Sequence, residues 1–247
     1  MILSTVNPYQ LIASQYINGL NSLAATFVAT PSPTMSAFST EVAKYVGGIY
    51  YPPLPLSDKL KIQLESLVAY SLDGYSNSTF YSDESEYGNN TNQQYLLNKL
   101  LKTIFKVPIN EIYDLILDVE NNVSKLDIPI QEKMPLLMAT AIGKESITYW
   151  LSKVTTPGNW AIFFDQNNVI NTTNIPFWVA AGMEGVFLMA NRTETYPLLD
   201  SNTLPNNGVD IASALSGSLS VGAGKVIYKI IRRIKDVNSD GRDTCNC

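Results

Sequence analysis

The side chains able to do chemistry in this chain are its carboxylates, lysines and tyrosines, because it contains no histidine. That absence removes Ser-His-Asp and Cys-His nucleophile systems, histidine-ligated zinc and haem, and the usual proton shuttle near neutral pH. Asp83, Glu84, Glu86, Glu132 and Glu145 are candidates for a glycosidase pair, which needs its two groups about 5 to 9 Å apart, a separation that sequence spacing does not fix. They carry an alternative reading of the chain as a carboxylate-dependent hydrolase acting on glycans, with Glu86 and Glu145 as the residues to test. No phosphate loop or dinucleotide fingerprint is present. Gly222-Ala223-Gly224-Lys225 falls inside a helical pattern, where it cannot cradle phosphate.

The most specific local pattern is the tail Asp236 to Cys247, DVNSDGRDTCNC. Asp236, Asn238 and Asp240 take the first, third and fifth places of an EF-hand-type or dockerin-type calcium loop, and Gly241 takes the sixth. In such loops alternating oxygen ligands face a hard cation and glycine makes the sharp turn. The twelfth place, which should hold a bidentate carboxylate, is Cys247. Ca2+ is thus the one cofactor with a candidate site, set against the plainer reading of a polar tail after the last helix. Cys245 and Cys247, the only cysteines, are too few for a zinc or iron–sulfur centre within one chain. A disulfide between them, a cross-link to other chains and the reduced state all stay open.

The element that must organise the rest is the stretch from Gly208 to Lys235, whose pattern predicts one long helix capped by Asp210. Ile211, Leu215 and Leu219, then Val226, Ile230 and Ile234, recur every four residues and form an apolar stripe. Beside it Ser213, Gly217, Ser220 and Gly224 make a ridge of small residues that admits another backbone. Lys225, Lys229, Arg232, Arg233 and Lys235 close it with positive charge. The ridge could serve membrane contact or self-association, or belong to a core helix. The uncharged run from Ile211 to Gly224 is too short to span a bilayer, which takes about 20 apolar residues, and favours the core helix.

The apolar run FWVAAGMEGVFLMA, opened by Asn174 and Pro176 and ending at Asn191, is the expected partner. Its Ala181, Gly182 and Gly185 would pack on the Ser213/Gly217/Ser220 ridge as a tight helix pair. Glu184 within it reads as a boundary residue rather than a buried carboxylate. Further helices are expected from Asn7-Pro8 to about Val28, from Ser36 to Val46 with Gly47-Gly48 ending it, and from Ser57 to about Leu72. Others run from an Asn92 cap to Phe105, from Pro108 to about Asn122, and up to Val154, with Pro135 setting the start of the last or kinking it. Ile49 to Leu56 reads as a polyproline-like connector, residues 73 to 93 as a polar loop, and the segment around Trp160 as a short strand or buried loop.

The 247 residues, 45% apolar and 16% charged, suit a globular protein of mainly α class. The expected architecture is a multi-helix bundle around a central small-residue helix pair with little or no sheet, one domain over 1–235 with a sub-boundary at the loop 73–92, and a tail over 236–247. A net charge of −5 speaks against nucleic acid as a partner. Met1 to Thr30 lacks a basic start and a continuous apolar run, so it does not read as a signal peptide.

QEKMPLLMATAIGKESITYWLSKVTTPGNW, with Tyr149-Trp150, Pro157 and Trp160, followed by a glycine- and alanine-rich helix, resembles a group of uncharacterised, exported helical proteins of Bacteroidota. The likeness covers roughly the second half. Those proteins have longer glycine zippers and no DVNSDG tail. The resemblance implies a bacteriocin-like or cell-envelope role and no catalytic residues. The resulting expectation is a non-enzymatic, extracellular or envelope protein that acts by binding, assembly or membrane contact. Its partners would be further copies of itself, another protein or a membrane surface.

Overall fold

A computed structural model describes residues 7–28, 34–50, 91–163, 172–192, 215 and 217–224. Within them the chain is helical, and no strand occurs among the described residues. The helices are α1 (Gln10–Val28), α2 (Met35–Tyr50), α3 (Thr91–Ile104), α4 (Ile112–Ser124), α5 (Ile130–Thr155) and α6 (Ile175–Arg192), followed by a helical segment at 217–224. Short 3-10 turns at Ile109–Glu111, Gly158–Phe163 and Thr172–Asn174 link or lead into them.

Helix α1 starts where Asn7 accepts the Tyr9 N–H on its side-chain Oδ1 at 2.9 Å, satisfying a donor that the first turn leaves open. Its buried face is Ile12, Tyr16, Leu20, Leu23 and Phe27, the four-four-three-four spacing of one helical stripe. In α2 the stripe is Phe38, Val42 and Val46, and Thr34 Oγ1 accepts the Ala37 N–H at 3.1 Å as its cap. This helix runs on through Gly47 and Gly48 to Tyr50, so the glycine pair does not end it. Glycine lowers helix propensity by only about 1 kcal/mol, and Tyr45 anchors the last turns by donating to the Gln15 carbonyl of α1 at 2.7 Å. Helix α3 includes Asn92 in its first turn instead of being capped by it.

Helix α5 occupies the centre. Every residue from Pro135 to Lys144 is buried, which is possible only with neighbours on all sides, and α1, α4 and α6 pack against it. Pro135 lies inside the helix, which starts five residues earlier at Ile130. The amide it lacks costs one backbone bond near the N-terminal end, where unpaired donors are already present. After α5, Pro157 and Gly158 make the turn, Gly158 with φ of 58°, and a 3-10 helix rather than a strand carries Trp160 into the core. The expected helix from Ser57, most of the polyproline connector and the polar loop lie outside the described residues.

Candidate functional site

The segment 217–224 lies in the interior: Gly217, Ser218, Leu219, Ser220, Val221, Gly222, Ala223 and Gly224 are all buried. What admits it is the absence of side chains on both sides of a helix crossing. A Cβ on Gly185 of α6 would overlap the Gly217 carbonyl oxygen, and one on Gly182 would stand 2.9 Å from the Tyr16 hydroxyl. One on Gly222 would overlap that same hydroxyl and lie 3.4 Å from the Gly182 Cα. At such closeness a side-chain hydroxyl reaches the opposite backbone, and Ser218 Oγ donates to the Gly182 carbonyl at 3.1 Å. Gly182 and Gly185 therefore meet Gly217, Ser218, Val221 and Gly222 directly; Ser220 and Gly224 are buried on the same segment, and Ser213 lies outside the described residues. Glu184, between the two glycines of α6, is 7% exposed: it is a buried carboxylate and not a boundary residue, because α6 is enclosed on this side as well.

Gly19 of α1 repeats the device, since a Cβ there would come within 2.7 Å of Leu219 and 2.9 Å of Tyr45. Tyr16, one turn earlier, points its hydroxyl into the crossing. Burial raises its pKa well beyond the ordinary tyrosine range, offset a little by nearby Ser146. Among the described residues neither the Tyr16 nor the Ser146 hydroxyl makes a hydrogen bond of good geometry, although the two lie near each other.

A second cluster surrounds the end of α5. Trp150 packs on Trp160 and Trp178 with ring centroids 5.2 and 4.6 Å apart. Trp160 Nε1 donates to the Tyr149 hydroxyl at 2.6 Å, and that hydroxyl donates onward to Asn21 Oδ1 at 2.9 Å. Burial pushes the Tyr149 pKa up to about 12, the Trp160 bond acting the other way.

The third cluster is ionic. Glu120 on α4 and Lys144 on α5 are 3% and 8% exposed, with Lys144 Nζ 2.6 Å from Glu120 Oε1. Glu120 Oε2 accepts from Asn7 Nδ2 at 2.5 Å and from Thr140 Oγ1 at 3.1 Å. Asn7 Nδ2 also donates to the Leu137 carbonyl at 2.8 Å. Burying charges is costly unless they are paired and the remaining hydrogen-bonding sites are filled, and here three donors saturate one carboxylate. Sequence reading missed these residues, because they lie 113 and 24 positions apart from Glu120 along the chain. One signal was present: Glu120 continues the four-residue stripe of Ile112 and Ile116, where a solvated glutamate has no place.

Of the hydrolase carboxylates, the two that are described do not come together. Glu132 and Glu145 stand on one helix thirteen residues apart, roughly 20 Å at 1.5 Å per residue, and cannot act as a pair. Glu145 instead accepts Gln10 Nε2 at 2.7 Å. Asp83, Glu84 and Glu86, the calcium candidates Asp236, Asn238 and Asp240, and Cys245 and Cys247 lie outside the described residues. Among the described residues no three His, Cys, Asp or Glu side chains gather as metal ligands, and no helix is long and apolar enough to cross a membrane. No protein-family model matches the chain, and no curated protein or solved structure resembles it significantly.

Proposed function

We propose that this chain is a non-enzymatic binding or assembly protein of the bacterial envelope or extracellular space, working through the outer surface of a rigid helical body. The observation that carries this reading is the enclosure of the small-residue helix. Its described turns are buried on every side, so the element best suited to membrane insertion is engaged in holding the bundle together. Activity then falls to what the outside presents. Leu126, Ile128 and Ile130, in and just after the turn between α4 and α5, are 41, 36 and 45% exposed, with large aliphatic side chains where a turn normally carries polar ones. Apolar surface of this kind supports contact with another protein, a further copy of this chain included.

Light scattering over a micromolar concentration series tests the assembly form, with and without reductant to separate a contribution of the terminal cysteines. Growth in mass with concentration that Ile128→Asp abolishes supports the aliphatic turn. A constant monomer that captures no protein from an envelope extract refutes the reading. Leakage of dye from anionic liposomes would move the activity to the membrane, and turnover of a glycan would replace the reading with an enzymatic one.

A further inference from the structure

The buried cluster at the start of α1 contains a primary amine, a carboxamide and a carboxylate in the order needed to join the first two. We propose that Lys144 and Asn7 form an intramolecular isopeptide bond, with Glu120 as its catalytic acid and base.

Lys144 Nζ and Asn7 Nδ2 are held on the two oxygens of one carboxylate, at 2.6 Å from Oε1 and 2.5 Å from Oε2. Amine and amide are therefore neighbours, and the group that must move protons between them touches both within proton-transfer reach. All three residues are at least nine-tenths buried, between the apolar faces of α4 and α5 that contain Ile116, Val123, Leu136 and Leu137. Water is kept away from a reaction whose competitor is hydrolysis. The carbonyl to be attacked is also prepared: Asn7 Oδ1 accepts the Tyr9 N–H at 2.9 Å, at the positive end of the 19-residue helix α1. The Leu137 carbonyl accepts from Asn7 Nδ2 at 2.8 Å and fixes the amide plane.

The step balances without a co-reactant. A proton passes from the Lys144 ammonium to Glu120, leaving a neutral amine whose lone pair attacks Asn7 Cγ. The tetrahedral carbon carries its negative charge on Oδ1 beside the Tyr9 N–H. Glu120 gives its proton to Nδ2 and takes one from Nζ. The Cγ–Nδ2 bond breaks, the carbonyl re-forms, and ammonia leaves, taking the remaining proton as ammonium and restoring the carboxylate. One C–N bond forms and one breaks. The product ties the start of α1 to the middle of α5.

The test is the intact mass of the folded full chain under denaturing conditions, followed by trypsin digestion. The expected mass is one ammonia below the sequence value. The digest should contain a branched peptide joining residues 1–44 to 134–153, uncut at Lys144. Folded Glu120→Gln, checked by circular dichroism, should return the full sequence mass. The proposal is overturned by an unchanged mass in the folded wild-type chain. An ammonia loss that maps to an unbranched peptide, as cyclisation at Asn18-Gly19 or Asn207-Gly208 would give, overturns it too. So does a folded Glu120→Gln chain that is still fully cross-linked. If that variant does not fold, the wild-type mass and branched peptide decide alone.

Discussion

Gly185 of α6 faces the backbone carbonyl of Gly217 with no room for a carbon atom between them. Because the obstacle is backbone, it cannot rotate away as the end of a flexible side chain would. Gly185→Ala is expected to destabilise the fold by about 1–3 kcal/mol, the usual cost of overpacking a core. Gly48 in α2 gives the opposite case: among the described residues nothing lies within 4 Å of a Cβ placed there. Gly48→Ala should stabilise by about 0.5–1 kcal/mol through helix propensity alone. Urea unfolding of both variants checks the pair. Equal effects would mean that the crossing is looser than the glycines indicate.

The hydroxyls of Tyr149 and Tyr16 predict contrasting responses to the same substitution. Tyr149→Phe removes the acceptor of Trp160 Nε1 and the donor to Asn21, and leaves a buried indole N–H without that partner. The expected cost is about 1–3 kcal/mol. Tyr16→Phe removes a buried hydroxyl that has, among the described residues, no hydrogen bond of good geometry, only the nearby Ser146 hydroxyl. It should be neutral or stabilising by about 1 kcal/mol. Thermal unfolding of the two variants measures the contrast, and a large loss for Tyr16→Phe would show that its hydroxyl has a partner.

How far the sequence disclosed this fold follows from the range of the forces involved. The stripe Ile12, Tyr16, Leu20, Leu23 and Phe27 was legible because helical periodicity is local, and the same holds for α2 and α4. The contact of Gly185 with Gly217 was legible as well, because small residues at helical spacing let two backbones approach closely. Glu184 was misread because a single carboxylate says nothing about what encloses it. The end assigned to α2 at Gly47-Gly48 failed because tertiary packing overrode a propensity of about 1 kcal/mol. The Asn7–Glu120–Lys144 cluster was invisible, since the residue leading into α1 meets two helices more than a hundred positions further along the chain.

Within that cluster the partners of Glu120 are unequal. Thr140 Oγ1 shares its one proton between Glu120 at 3.1 Å and the Leu137 carbonyl at 3.0 Å. Thr140→Val should therefore cost only about 1 kcal/mol. Lys144→Met takes away the counter-charge of Glu120 where the lysine is free, and the covalent tie where it is joined to Asn7, and should cost about 3–5 kcal/mol. Urea midpoints at neutral pH compare the two, and a Lys144→Met loss no larger than that of Thr140→Val would mean that water reaches Glu120.

Stability should fall on the alkaline side for a reason located at Tyr149. Its pKa is pushed from 10.0 up to about 12 in the folded chain, chiefly by burial. Below pH 10 both states are neutral at this residue and it adds no pH dependence. Between pH 10 and 12 the unfolded chain has lost the proton that the folded chain still holds, so stability declines as pH rises. The decline levels off once the folded phenol also ionises. A shift of that size corresponds to about 2–3 kcal/mol over the window. Tyr45, also pushed up to about 12, contributes in the same direction, and so does Tyr16, whose pKa is raised further still. Urea midpoints measured from pH 9 to 11.5 should therefore fall steeply in the native sequence. The fall should be shallower in Tyr149→Phe, even though that variant starts from a lower stability at pH 9. Parallel slopes in the two proteins would show that the Tyr149 phenol titrates alike in the folded and unfolded chains, the bond from Trp160 offsetting its burial.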